Sequence, residues 1–310
     1  IKKDNKIIDQ KKQDKIINSL DFSLTSDQTK TLREINEDLS SSSKMFRLLQ
    51  GDVGSGKTIV SFLSAFNTVN CGFQVAVMAP TEILARQHFN FAKKIFPNLN
   101  ISLISGKSEN KDRKIILDKL SNHKIDIIFG THAIFQKKVN FKKLGLIIID
   151  EQHKFGVNQR KRLSDKGGEN CDVLLMTATP IPRTLTMSMY GDMDISIIRE
   201  KPKTRKPIKT YSKLDSKIND VIRFIKKEIK LDNQVFWVCP LIEESKKIDH
   251  ASAVKKFEYL DKLFPNQVSL IHGKTEISEK ENILNNFLKK KFKILVSTTI
   301  IEVGIDFPNA

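Results

Sequence analysis

The sequence predicts an α/β protein with two parallel-sheet domains in tandem, the second incomplete at its C-terminus. Three observations lead there. Short apolar runs alternate with longer amphipathic ones along most of the chain, the pattern of a parallel sheet covered by crossover helices. The apolar runs end in small or polar residues, which puts ligand-binding groups at the carboxyl edge of the sheet. A stretch without apolar periodicity, Lys201 to Pro207, interrupts the alternation with two prolines and four basic residues. It reads as a linker at 201–207 between a first domain at 22–200 and a second at 208–310, with 1–21 a helix or linker continuing from a preceding region.

Composition narrows the classes. The 310 residues suffice for two hydrophobic cores, and 39% apolar content with a mean hydropathy of -0.30 describes a soluble globular protein. Apolar runs such as Leu144 to Ile149 are too short to span a bilayer, and the lysine-rich residues 1–20 do not form a secretory signal, so no membrane is implicated. Cys71, Cys171 and Cys239 show neither metal-ligand spacing nor a disulfide framework, which fits a reducing cytoplasmic setting. A net charge of +17 favours polyanionic partners. A proteome-wide lysine bias would give the same charge, so charge alone does not decide.

Taken in order, residues 1–20 read as a solvated helix or linker, and Thr25 or Ser26 caps a helix opening near Asp27-Gln28. Ser40 to Ser43 is flexible. Strands are expected at Met45–Leu49, Gln74–Ala79, Ile101–Ser105, Ile125–Phe129, Leu144–Ile149 and Val173–Met176. Helices are expected at Ile59–Val69, Glu82–Phe96 and Asn110–Ser121. After the linker come helices at Ser216–Ile229, Ala251–Phe264 and Ser278–Lys290 and strands at Gln234–Cys239, Val268–Ile271 and Lys293–Val296. The segment from Thr298 is an unfinished connection, so the chain is expected to stop inside its second domain.

The stretch Gly51-Asp52-Val53-Gly54-Ser55-Gly56-Lys57-Thr58 organises the rest. It lies between an apolar strand and an amphipathic helix, the context in which G-x-x-x-x-G-K-[ST] binds phosphate. Its glycines let several N–H groups converge, and the helix start adds unpaired N–H groups and partial positive charge. Lys57 can reach the outer phosphates of a nucleoside triphosphate, and the Thr58 hydroxyl can hold Mg²⁺. Asp150-Glu151 ends the apolar Leu144–Ile149 strand: Asp150 suits the Mg²⁺ shell, and Glu151 can orient or deprotonate the attacking water. Gln152 and His153 follow; His153 admits either a packing role or one sensing the γ-phosphate. Thr177-Ala178-Thr179, at the next strand end, offers hydroxyls that can relay between the nucleotide site and a second ligand.

The set Gly51–Thr58, Ala79-Pro80-Thr81-Glu82, Gly130-Thr131-His132-Ala133, Asp150–His153 and Thr177–Thr179 resembles, in order, the helicase motifs of superfamily 2. GDVGSGKT, MAPTEILARQH, IIDEQHKFGVNQR, LLMTATPIPRTL, VFWVCPLIEES and ILVSTTIIEVGIDFPNA more closely resemble the RecG family of branched-DNA helicases, over roughly residues 22–310. Gln152 and Ser55 fit that family better than Mfd-like translocases, which usually carry Glu and Phe there.

The resemblance implies two RecA-like P-loop domains working as a monomeric, ATP- and Mg²⁺-dependent DNA helicase. Its expected partner is branched DNA, stalled forks and Holliday junctions, in recombination and repair. Phe22 and Gln28 match an adenine-contacting element. Pro80, Thr81, Glu82, Gly130 and Thr131 match segments along the nucleic-acid track, as do His272, Gly273, Ser297, Thr298 and Thr299 in the second domain. Glu302, Gly304 and Asp306 match a motif that faces the nucleotide. Departures occur at Arg86, where an acidic residue is commoner, at Asp27, where a small residue is usual, and at Lys154 in place of Arg. The family's arginine motif, Q-x-x-G-R-x-G-R, does not occur and is expected after position 310. Arginine fingers contribute about 10³–10⁵ in rate, so the chain is expected to bind ATP but hydrolyse it poorly. Alternatives are an Mfd-like double-stranded DNA translocase and an ATP-gated module that does not turn over. A metabolite kinase or transporter ATPase leaves Thr177–Thr179 and the second domain unexplained.

Overall fold

The computed structural model describes residues 3–104, 110–136, 138–151, 168, 171–179, 193–202, 208–239, 246–272, 275–298, 307 and 309–310. The chain divides into two compact units, Ile1–Lys206 and Pro207–Ala310.

The first unit contains α1 (Gln10–Asn18), α2 (Ser26–Ser40), β1 (Phe46–Gly51), α3 (Lys57–Asn70), β2 (Gln74–Met78), α4 (Glu82–Ile95), β3 (Ile101–Ile104), α5 (Asn110–Ser121), β4 (Ile127–Gly130), β5 (Leu144–Ile149), β6 (Asp172–Thr177) and β7 (Asp194–Ile198). The strands form a seven-stranded sheet in the order β3-β4-β2-β5-β6-β1-β7, each pair parallel. β2, β5 and β6 are buried along their whole length, and β1 from Arg47 onward. Helices cover both faces of such a sheet, which is why these strands read as continuous apolar runs. The two-residue period of a strand then divides each run between two cores. Leu49, Val75, Val77, Ile148 and Leu174 pack with Leu32, Ile35, Phe62 and Leu63 of α2 and α3. Leu48, Ala76, Met78, Ile147, Ile149 and Leu175 fill the opposite layer.

Two departures from the sequence reading stand out. β7 was not expected; it pairs with β1 at the sheet edge, and its Asp194 and Ile197 are exposed. A mixed edge strand lacks the apolar run that marks a central one. Residues 3–20 hold the helix that the sequence reading allowed, α1, but the stretch is not wholly solvated. Lys3 and Lys6 are buried, and each donates to the Asp172 carboxylate at 2.6 Å, which also accepts from Met45 N at 2.7 Å. Gln13 of α1 is buried and accepts from Asn36 of α2 and Asn67 of α3, at 2.7 Å each. A polar, lysine-rich segment hides this role, because its partner is an acid far along the chain.

The second unit holds α6 (Ile218–Lys230), β8 (Val235–Val238), α7 (Lys246–Leu263), β9 (Val268–Ile271), α8 (Ile277–Leu288) and β10 (Ile294–Ser297). Its parallel sheet runs β8-β10-β9, and Ile222, Ile225, Leu260, Phe264, Ile294 and Val296 form its core. A short 3₁₀ turn, Asp215–Lys217, leads into α6 where sequence reading began the helix. The two units share one device. Gln74, at the start of β2, donates to Leu120 O and Ile125 O, and Gln234, just before β8, donates to Phe287 O and Phe292 O. Each amide satisfies carbonyls near a helix end that burial would otherwise leave unpaired.

Candidate active site

The strand order lays the sequence motifs along one edge of the first sheet. From β4 through β2, β5, β6 and β1, the carboxyl ends carry Gly130-Thr131, Pro80–Glu82, Asp150-Glu151, Thr177–Thr179 and Gly51–Thr58. The nucleic-acid candidates therefore cluster at β4 and β2, and Ala79 N donates to Gly130 O at 3.0 Å. The nucleotide candidates occupy β5, β6 and β1. Asp150 and Glu151, at the end of β5, are the nucleotide candidates next to the nucleic-acid group on β2.

At β1 the chain passes from Gly51 into the loop and enters α3 through Gly56, whose φ of +88° is left-handed. A Cβ on Gly56 would lie 2.1 Å from Gln28 Nε2, so glycine is required by both dihedral and space. Gln28 is almost fully buried. Its Nε2 donates to Ser55 O at 2.7 Å, and its Oε1 accepts from Thr25 N at 2.9 Å, completing a capping box at the start of α2. Its amide thus holds the loop's backbone shape. Phe22, also assigned to adenine, is 42% exposed and lines a groove of about 1040 Å³ with Ile17, Leu20 and Leu24.

Lys57 is the first residue of α3, and its Nζ lies against the loop, donating to Gly51 O at 2.6 Å and Asp52 O at 3.2 Å. Thr58 is the next residue of that helix. Among the described residues, Ser55 Oγ is a buried polar atom without a hydrogen-bond partner. A Cβ at Gly51 would sit 2.5 Å from that oxygen. A concave loop with a buried cation, a helix N-terminus and an unsatisfied hydroxyl fits a polyphosphate. Asp52 is exposed and held below the usual carboxylate range by its bond with Lys201 and by Val53 N–H.

Asp150 and Glu151 are both buried. Asp150 Oδ1 accepts from Glu151 N at 3.0 Å, and Oδ2 lies 2.8 Å from His88 Nε2. Glu151 has a φ of +49°, a left-handed conformation costing a non-glycine residue about 1–2 kcal/mol. Such strain concentrates at functional positions. Glu151 Oε2 accepts from Ala178 N at 3.4 Å, while Thr177 and Thr179 share a hydroxyl–hydroxyl bond of 2.9 Å. Among the described contacts, the Ala178 N–H links the acidic pair to Thr177–Thr179. Sheet register places Thr177 beside Gln50, immediately before the loop.

Other assigned residues divide as follows. Thr81 caps α4 through Leu84 N, Glu82 opens that helix, and Arg86 is exposed on it. In the second unit His272 and Thr298 follow neighbouring strands, and Thr298 N donates to Ile271 O at 3.3 Å. Gln152, His153, Lys154, Gly273, Thr299, Glu302, Gly304 and Asp306 lie outside the described residues. Sequence reading assigned no role to His88. It shares the inward stripe of α4 with Leu84, Ala85 and Ala92, a pattern that marks burial without naming the acid it meets.

Asp27, the departure noted before the glutamine, has a structural account. Its Oδ2 accepts from Arg199 N at 2.8 Å and Glu200 N at 3.0 Å, and its own N–H donates to Glu200 Oε2. Those N–H groups hold the carboxyl below its ordinary pKa. A small residue would keep only the N–H bond to Glu200 and lose both carboxylate bonds to the segment leaving β7.

Comparison with known proteins agrees with this layout. A family model described as DEAD/DEAH box helicase matches residues 25–188, and one described as helicase conserved C-terminal domain matches 216–310. The chain is 48% identical over 294 residues to the ATP-dependent DNA helicase RecG of Streptococcus pneumoniae, covering 94% of this chain and 44% of that protein. It is 47% identical over 307 residues to RecG of Aquifex aeolicus, covering 98% and 39%. The chain thus spans less than half the length of these relatives. A solved structure of RecG bound to a three-way DNA junction matches with a TM-score of 0.86 and 40% identity, over 100% of this chain and 41% of that one. A structure of Mss116p bound to ssRNA and AMP-PNP, 19% identical with a TM-score of 0.67 over 100% of this chain and 69% of that one, shares the tandem fold. With the glycine-rich loop, the acidic pair and the Thr177–Thr179 turn set side by side on one sheet edge, the chain belongs to the DEAD/DEAH box helicase family.

Proposed function

We propose that this chain is the motor core of a RecG-type ATP-dependent DNA helicase, remodelling forks and junctions in recombination and repair. One observation carries the reading most: the loop bearing Lys57 and the acidic pair flank the same strand, β6, so phosphate-binding and water-orienting groups share one edge. Lys57 would exchange its loop carbonyls for phosphate oxygens, and Ser55 Oγ and the backbone of Asp52 to Gly56 would line the polyphosphate. Phe22 and Gln28 would face the base, directly or through the loop. Thr58 and Asp150 would hold Mg²⁺, which supplies neutralisation of phosphate charge when bound. Among the described residues no group of three or more His, Cys, Asp or Glu could hold a metal ion. Mg²⁺ characteristically takes one or two protein ligands and completes its shell from phosphate and water. Glu151 would orient or deprotonate the attacking water.

The nucleic-acid assignments are Pro80, Thr81, Glu82, Gly130 and Thr131 in the first unit and His272, Gly273, Thr298 and Thr299 in the second. Strand-end segments of this kind offer N–H groups to phosphates, so binding would be sequence-tolerant and salt-sensitive, as the net charge of +17 favours. Thr177-Ala178-Thr179 would transmit between the two ligands through the Ala178 N–H to Glu151. Gln152, His153, Gly304 and Asp306 are proposed partners of the nucleotide. The working compartment is the cytoplasm; among the described residues no helix is long and apolar enough to cross a membrane.

The test is ATP turnover with and without a synthetic fork, beside Lys57→Ala. Fork stimulation lost in the variant is the expected result, whatever the absolute rate. Turnover indifferent to DNA, or unchanged by the substitution, would sink the proposal.

A further inference from the structure

We infer that His88 is a positioning residue for the nucleotide site: it fixes the rotation of the Asp150 carboxylate, and with it the direction of the lone pairs left for an ion. The inference rests on the proposed reading of Asp150 as a Mg²⁺ ligand and extends it to a residue on a different element.

The geometry is specific. His88 Nε2 and Asp150 Oδ2 are 2.8 Å apart, and each side chain is 9% exposed. A carboxylate only accepts, so Nε2 carries the hydrogen and donates. Asp150 Oδ1 takes the Glu151 N–H at 3.0 Å. Together the two bonds fix rotation about the Asp150 side chain, while each oxygen keeps a further lone pair. The imidazole is itself held: its ring meets Phe62 edge-on at 5.8 Å and 77°. Phe62 is buried on α3, the helix that Lys57 and Thr58 open. His88 thus links the helix carrying one proposed Mg²⁺ ligand to the strand carrying the other. A histidine present only to fill space would be matched by an apolar side chain of similar size. One that orients the acid would be matched only by a side chain keeping a donor where Nε2 stands. Glutamine does so, since its Nε2 reaches about as far from the backbone as the imidazole Nε2.

Groups that orient a metal ligand typically change metal affinity about 10–100-fold when removed. The experiment titrates Mg²⁺ against a fluorescent ATP analogue bound to the chain, for wild type, His88→Leu and His88→Gln, with binding in EDTA and thermal melting alongside. The expected result for His88→Leu is a half-saturating Mg²⁺ concentration raised at least about 10-fold, with binding in EDTA unchanged. His88→Gln should restore most of the metal dependence. Leucine behaving as wild type, or glutamine failing as leucine does at an unchanged melting temperature, would overturn the inference. Loss of EDTA binding in both variants would also overturn it, by assigning His88 to packing. If wild type itself showed no Mg²⁺-dependent nucleotide binding, the proposed function would fall instead.

Discussion

Gly56→Ala should uncouple the glycine-rich loop from α2, and the size of the effect follows from two features of the structure. The φ of +88° is left-handed, which costs an L-residue about 1–2 kcal/mol. The new methyl would stand 2.1 Å from Gln28 Nε2, so that amide must leave. Its departure breaks the 2.7 Å bond to Ser55 O and leaves a buried polar group unpaired, at about 1–3 kcal/mol. The sum is about 2–5 kcal/mol, which for a unit of this size lowers the melting temperature by roughly 2–4 °C per kcal/mol. The assay is thermal and urea unfolding of Gly56→Ala, Gln28→Ala and the double variant, with nucleotide-analogue binding measured on each. Since the clash needs the glutamine, the double variant should lose clearly less than the sum of the singles. Strict additivity, or a Gly56→Ala protein that melts and binds like wild type, would refute the argument that Gln28 sets the loop's shape.

Three further outcomes follow from other contacts. Asp172→Ala should destabilise the first unit by about 3–5 kcal/mol in urea unfolding, because two buried lysine ammonium groups lose their counter-charge. Asp27→Asn should lose hydrogen-exchange protection at the Arg199 and Glu200 amides at neutral pH. The Asp27 carboxyl is depressed below 3.8 by those two N–H bonds, so its contribution is present above that value and fades as pH falls through the folded pKa. The difference between Asn and Asp should therefore shrink in acid. Cys171, pushed up to about 12 by burial, should resist alkylation at pH 8 in the folded chain, and labelling there without denaturant would contradict its environment.

Much of the first sheet was readable without coordinates because parallel strands buried on both faces leave continuous apolar runs. Leu144–Ile149 has the same bounds in the structure, and the other central strands shift by a residue or two at their ends. β7 escaped because its pattern is mixed and, among the described strands, it takes one neighbour, β1. The glycine-rich loop and the acidic pair were legible because their chemistry is local: adjacent backbone N–H groups, a lysine, a hydroxyl and consecutive carboxyls. The roles of Gln28 and Asp27 within the site were not.

The amino-acid order alone determined the fold class and the places of the glycine-rich loop and of the acidic pair proposed to serve it, since each depends on periodicity or on neighbours in the chain. Tertiary structure alone decided what meets across distance. It put His88 against Asp150, 62 residues apart, Asp27 against Arg199 and Glu200, and Lys3 and Lys6 under Asp172, 169 and 166 residues away. Each of these is a polar group buried where an unmatched one would be costly, or a backbone N–H needing an acceptor. The chain can announce that such a group exists. Only the packed sheet supplies its partner.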